Sequence, residues 1–195
     1  VTRHYTVHLT KNLPIASGIG GGSADAAATL RALARLNDIP LEDPRLFACA
    51  DALGSDVPAC LLGRSAIGRG RGEQLTPLGG LTGTPVLLVN PGVAVSTAAV
   101  FKGWNGQDQG PIGGGDLLDI ARNGRNDLEP PARIIAPVIA DVLDRLTATG
   151  PLLARMSGSG ATCFALYPDE PARSRAAGEI RAHVPDWWCL ESTLI

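Results

Sequence analysis

Hydrophobic and polar residues alternate from Tyr5 to Thr10, with Tyr5, Val7 and Leu9 on one face and Thr6, His8 and Thr10 on the other. A period of two marks a half-buried strand, and one is expected there. From Ser23 to Leu36 the pattern changes to a run dominated by Ala and Leu that no Gly or Pro interrupts. Such side chains lose little freedom in a helix, so a helix about 20 Å long is expected. Asp43 as N-cap, Pro44 at the first position and Gly54 just past the end bracket a second helix. Ala59–Leu78 mixes short apolar stretches with Gly and Arg and reads as strands joined by tight loops.

Beyond a linker-like Thr82-Gly83-Thr84-Pro85, Val86–Val89 reads as a buried strand and Ser96–Lys102 as a short helix. Gly103–Gly115 carries six glycines and is expected to be a mobile loop. Helices are expected over Asp116–Arg122 and Pro137–Thr149, the latter closed by Gly150. The tail reads as strand Leu152–Met156, strand Cys163–Tyr167, a helix from the Asp169 cap to His183, and strand Trp187–Glu191. This β-β-α-β order points to an α+β protein, with a domain boundary dividing residues 1–84 from 85–195.

Composition narrows the class. In 195 residues with 45% hydrophobic side chains, 18% charged ones and a net charge of −2, neither disorder nor a strongly basic nucleic-acid binder is expected. Apolar runs such as Pro85–Val89 are far shorter than a membrane helix requires, and Val1–Tyr5 lacks the apolar stretch of a secretory signal. A cytoplasmic protein with no membrane or nucleic-acid partner follows as the expectation. Cys49, Cys60, Cys163 and Cys189 show no C-x-x-C spacing and there are only three histidines, so reduced, mostly buried thiols and no protein metal site are expected. The absence of an initiating Met and the strand-like opening suggest a piece of a longer protein.

Gly and Pro supply one fifth of the chain, and the glycines cluster. Gly18-Ile19-Gly20-Gly21-Gly22-Ser23-Ala24-Asp25 lies between an expected strand and a helix start. Without Cβ atoms the backbone can approach a polyphosphate, and a helix N-terminus favours negative charge; a flexible turn ahead of a capped helix is the plain alternative. The Walker pattern fails, because no Lys lies between Lys11 and Lys102, and Ser23 stands where the dinucleotide pattern needs a third Gly. In Leu53-Gly54-Ser55-Asp56-Val57-Pro58 a lone acid follows a helix end, as turn and cap residues do. Met156-Ser157-Gly158-Ser159-Gly160-Ala161-Thr162 joins two expected strands and could donate to phosphate or simply close a hairpin.

Taken in order with Gly68-Arg69-Gly70-Arg71-Gly72-Glu73 and Asn126-Asp127-Leu128-Glu129, these motifs resemble those of the GHMP small-molecule kinases over essentially the whole chain. The resemblance implies a GHMP kinase fold: an ATP-binding domain like domain 2 of ribosomal protein S5, incomplete here, followed by a ferredoxin-like C-terminal domain. It also implies ATP and Mg²⁺, and the nearest activity is phosphorylation of the 2-hydroxyl of cytidine diphosphate-methylerythritol in non-mevalonate isoprenoid synthesis. A family kinase for another alcohol, or a non-catalytic nucleotide-binding protein, is the alternative. Carried over by position, Pro14, Ile15, Ala16, Ser17, Gly18, Ile19, Gly20, Gly21, Gly22, Ser23 and Ala24 would hold the nucleotide phosphates and Asp56 would be catalytic. Thr97, and with it Ser96, would line the cleft, and the loop of Ser157, Gly158, Ser159 and Gly160 would close on it. Ser23 is the hydroxyl best placed to assist Mg²⁺, and no protein carboxylate is assigned to the ion. Arg69 and Arg71 read as solvent-facing, Asn126 and Asp127 as helix-capping.

A carboxylate of ordinary pKa, about 3.9, cannot deprotonate an alcohol beforehand. In a loose phosphoryl-transfer transition state it need only orient the hydroxyl and accept its proton late. The family pairs this aspartate with an early lysine, whereas Lys11 matches the lysine ahead of the family's Leu-Pro. An N-terminally truncated kinase with impaired turnover is therefore expected.

Overall fold

A computed structural model describes residues 4–14 and 17–195. The chain divides into two units, Val1–Ile15 with Gly20–Pro77, and Ala16–Ile19 with Leu78–Ile195.

The first unit contains helices α1 (Gly21–Leu36), α2 (Pro44–Leu53) and α3 (Val57–Leu62), and an antiparallel hairpin of β1 (Ala66–Arg69) and β2 (Gln74–Pro77). α2 starts and stops at the expected signals: the Asp43 side chain accepts from Arg45 N at 2.8 Å, and Gly54 follows the last turn. Arg45 beside it holds the Asp43 carboxyl down at about 2. The core is small, with Ala27 and Ala34 of α1 against Leu46, Ala50, Val57 and Leu61. Arg31 reaches from α1 to donate to Cys60 O and Leu61 O, so the last carbonyls of α3 are partly satisfied by a neighbouring helix.

Two expectations fail in this unit. Residues 4–12 form no strand, and Val7 and Leu9 are about 60% exposed. Alternation specifies a face to bury, but a strand also needs a ladder partner, and β1 and β2 pair only with each other among the described residues. The start of Ala59–Leu78 is helical rather than extended. Val57-Pro58 sets the first turn, where the missing proline N–H costs nothing, and Gly63 closes the helix in a left-handed conformation at φ 65°.

The second unit is built on a four-stranded antiparallel sheet in the order β4-β5-β3-β6, from β3 (Pro85–Asn90), β4 (Leu153–Met156), β5 (Cys163–Leu166) and β6 (Trp188–Thr193). Helices α4 (Thr97–Gly103), α5 (Leu117–Asn123), α6 (Glu129–Ile135) and α7 (Val138–Ala148) lie between β3 and β4, and α8 (Glu170–His183) between β5 and β6. This is the ferredoxin-like split βαβ order, with β5 inserted between the two strands joined by the first crossover. α7 packs on β4 and β5, and α8 on β3 and β6.

Leu87 and Val89 stand opposite Ala165 and Cys163, all fully buried, under Ile139, Val142 and Leu146 of α7 and Ala176, Ala177 and Ile180 of α8. Burying each large aliphatic side chain contributes about 1.5–3 kcal/mol. Tyr167 is also fully buried, and its hydroxyl pairs with Thr149 Oγ1 at 2.7 Å. Ser96, Asp116 and Asp169 cap α4, α5 and α8 as their side-chain types predict. Helix α6 was not among the expected elements.

The segment 82–85 belongs to the second unit, where Gly83 N donates to Leu194 O and Leu194 N to Thr84 O. The thiols are less buried than expected: only Cys163 is buried, Cys60 and Cys189 are half-buried, and Cys49 is exposed on α2. Among the described residues no helix is long and apolar enough to cross a membrane.

Candidate functional site

The glycine segment is shared between the units: residues 17–19 belong to the second, and Gly20 begins the first unit's α1. Ile15 and Ala16 lie outside the described residues, and half-buried Pro14 is in irregular backbone.

In the first unit, the N-cap Gly20 adopts a left-handed conformation at φ 65°, no side chain caps α1, and no acid occupies its first turn. The first backbone bond runs from Ala24 N to Gly20 O at 2.8 Å. The amides of Gly21, Gly22 and Ser23 donate to no described residue, as first-turn amides do, and a Cβ at Gly20 or Gly22 would meet nothing within 4 Å. The positive end of a 16-residue helix lies open at a backbone that an anion can approach. The Lys11 ammonium is ion-paired with Asp25, 3.8 Å from the point a Cβ on Gly21 would occupy. A cation thus stands beside the α1 N-terminus although the glycine segment itself has none. The Lys11-Asn12-Leu13-Pro14 run carried that signal.

Asp56 precedes α3 with helical backbone angles, and its side chain makes no capping bond. Its carboxylate is exposed and has no hydrogen-bond or ion-pair partner among the described residues. The ordinary cap role is therefore not what this side chain does. Burial, and then the Asp56 charge, push the Cys60 thiol up against an opposing pull from Arg31. Cys60 therefore stays protonated near neutral pH and does not compete as a nucleophile. Arg71 pairs with Asp51 at 2.9 Å and Arg69 Nη1 donates to Thr76 Oγ1 at 3.3 Å; both arginines are exposed.

In the second unit, the backbone of residues 17–18 meets the 157–162 loop. Ser157 Oγ donates to Gly18 O at 2.8 Å and Thr162 N to Ser17 O at 3.1 Å. A Cβ on Gly18 (φ 76°) would fall 2.5 Å from Gly160 O and 2.6 Å from Ser157 O, and one on Gly158 (φ 52°) 2.8 Å from Gly18 O. These two glycines permit a backbone-to-backbone approach that no side chain would allow. Ser159 Oγ lies 2.9 Å from Thr97 Oγ1, and Asn90 Nδ2 donates to Thr162 Oγ1 at 2.9 Å. The amides of Gly158 and Ser159 donate to no described residue. Consecutive free N–H groups around a left-handed residue form an anion-binding concavity.

Asn126 does not cap α6, whose N-cap is Leu128 with no side-chain cap bond; it accepts from Leu128 N at 3.1 Å in the turn ahead of the helix and donates to two carbonyls of the 156–158 segment. Asp127 instead pairs with Arg125 at 2.8 Å. Burial, with the Glu129 charge, pushes the Cys163 thiol up to about 12, so it too is inert. A hollow of about 320 Å³ between Gly110–Gly114 and Ile120–Asp127 includes none of the expected site residues.

The chain matches the family model for the GHMP kinases N terminal domain over residues 2–64 and that for the GHMP kinases C terminal over residues 114–186. It is 51% identical over 191 residues to the 4-diphosphocytidyl-2-C-methyl-D-erythritol kinase of Rhizorhabdus wittichii, covering 96% of this chain and 65% of that protein. It is 49% identical over 193 residues to the enzyme of that name from Erythrobacter litoralis, covering 96% of this chain and 70% of the relative. A crystal structure of 4-(cytidine 5'-diphospho)-2C-methyl-D-erythritol kinase superposes with a TM-score of 0.75 at 37% identity, over 93% of this chain and 68% of that one. The chain spans about two thirds of the length of the relatives it matches.

Proposed function

This chain belongs to the GHMP kinase family, and on that premise we propose that it is part of an ATP-dependent kinase for the 2-hydroxyl of 4-diphosphocytidyl-2-C-methyl-D-erythritol. The observation that carries the reading is the uncapped, glycine-lined start of α1 with Lys11 beside it. It is an anion site built from backbone, and an ATP-dependent kinase needs one for the nucleotide. In this reading the amides of Gly21, Gly22 and Ser23 bind phosphate oxygens, and within the second unit the amides of Gly158 and Ser159, which donate to no described residue, offer an anion-binding concavity of their own. Ser17 and Gly18 set the backbone path, Pro14 and Ile19 flank it, and Ala24 lies in the helix's first turn. Asp56, whose carboxylate bonds to no described residue, orients the acceptor hydroxyl and takes its proton late in the transfer. Thr97 and Ser159 share a hydroxyl–hydroxyl hydrogen bond.

Mg²⁺ accompanies the nucleotide in this proposal, neutralising phosphate charge when bound. Such an ion takes most of its oxygens from phosphate and water. Ser23, in the open first turn, is the hydroxyl we assign to it. With ATP as donor, we place the reaction in the cytoplasm.

Replacing Asp56 with Asn in the full-length protein tests the assignment. Turnover should fall by about 10²–10⁴, the usual worth of a positioned proton acceptor, while ATP affinity measured by calorimetry stays within about threefold. Unchanged turnover would remove Asp56 from the mechanism. Failure of the unaltered protein to transfer phosphate to this acceptor would remove the substrate assignment.

A further inference from the structure

We propose that Asn126 is a positioning residue that fixes the phosphate-facing conformation of the 157–160 loop; the proposal rests on the kinase reading above. Its side-chain amide is fully used. Nδ2 donates to Met156 O at 2.9 Å and to Gly158 O at 2.8 Å, while Oδ1 accepts from Leu128 N at 3.1 Å. The two carbonyls flank Ser157, the residue that donates to Gly18 O, and one belongs to Gly158, whose own amide donates to no described residue. One side chain therefore sets the peptide orientation on both sides of the loop's first turn. Turning the Gly158 carbonyl toward Asn126 fixes the Gly158–Ser159 peptide plane, and with it the direction of the Ser159 N–H.

The strut is itself anchored. Arg155, from β4, donates to Gly124 O at 2.6 Å, two residues ahead of Asn126, and burial weakens its hold on its proton. Ser159 is tied on the loop's other side to Thr97. An amide is required at position 126 because the neighbours ask for two donors and one acceptor at once, which Asn supplies and Asp or Ser does not.

Asn126→Asp separates loop positioning from helix support. The carboxylate keeps an acceptor for Leu128 N but faces two carbonyl oxygens with no donor. Hydrogen exchange should speed up at residues 157–162 and stay unchanged in α6 and α7. In the same variant kcat should fall at least about tenfold, or KM for ATP rise by a similar factor, with KM for the acceptor alcohol within about threefold. Asn126→Ala, which also loses the bond from Leu128 N ahead of α6, should add faster exchange at the start of α6. Unchanged exchange at 157–162, or faster exchange there with both kcat and KM for ATP unchanged, would overturn the proposal. If the unaltered protein shows no transfer to this acceptor, the kinase reading fails separately. The positioning role is then decided by ADP affinity, which must drop at least about fivefold in Asn126→Asp for the proposal to stand.

Discussion

At the scale of single residues, the site depends on where a Cβ is forbidden and where it is merely unfavourable. Gly18 and Gly20 both have positive φ, but Gly18 faces backbone oxygens at 2.5 and 2.6 Å and Gly20 faces open space. Gly20→Ala should cost only the left-handed backbone term, about 1 kcal/mol. Gly18→Ala adds overlap with rigid backbone, worth about a further 1–3 kcal/mol, and pushes the 157–160 loop away from Ser17 and Gly18. Denaturant midpoints should therefore fall clearly further for Gly18→Ala, and its Ser157 amide should shift in the NMR spectrum while that of Gly20→Ala stays put. Equal destabilisation by the two substitutions would mean that the close approach at Gly18 is not what makes this position glycine.

At the scale of elements, α1 puts stability and binding in opposition. Its first turn is Gly21-Gly22-Ser23, with neither a capping side chain nor an acid. Gly22 is exposed and has room for a side chain. Gly22→Asp should stabilise the helix through reduced backbone freedom, about 0.5–1 kcal/mol, and through the dipole, about 0.3–1 kcal/mol. The same carboxylate would sit where phosphate is expected, so ATP affinity should drop at least about tenfold, or 1.4 kcal/mol. A rise in melting temperature together with retained affinity would place the phosphates elsewhere.

Elements with two-sided signals were the legible ones. The Asp43, Pro44 and Gly54 signals delimited α2, and Ser96, Asp116 and Asp169 marked the starts of α4, α5 and α8. The expected strand at Tyr5–Thr10 failed because alternation says nothing about a ladder partner. Helix α3 was hidden because six residues hold too few turns to show a period. In the candidate site the glycine clusters were legible as clusters. That Gly18 packs against Gly158, and that Asn126 holds the carbonyls of the 156–158 segment rather than capping α6, depend on contacts between residues 139, 140 or 32 positions apart, and no local pattern carries them.

At the scale of the whole molecule, the two units have cores of very different weight. The first buries six hydrophobic residues, three of them alanines, so Leu46, Val57 and Leu61 supply most of the transfer free energy. Among the described residues the second packs seventeen into one cluster, including Leu87, Ile139, Leu146, Met156 and Tyr167 around a four-stranded sheet. At about 1.5–3 kcal/mol per large side chain, and with ordering costs paid in both, the first unit should open at lower free energy. Hydrogen exchange should then be faster in α1 and α3 than in β3 and β5, and denaturant should give two transitions with the helical first unit melting first. Because the start of α1 belongs to that weaker unit, nucleotide should act on it most. A ligand at 100 times its dissociation constant stabilises the state that binds it by about 2.7 kcal/mol. Adding ATP with Mg²⁺ should therefore slow exchange in α1 and raise the first transition toward the second, leaving β3 unchanged. Nucleotide protection confined to the second unit would show that the phosphates do not bind at α1.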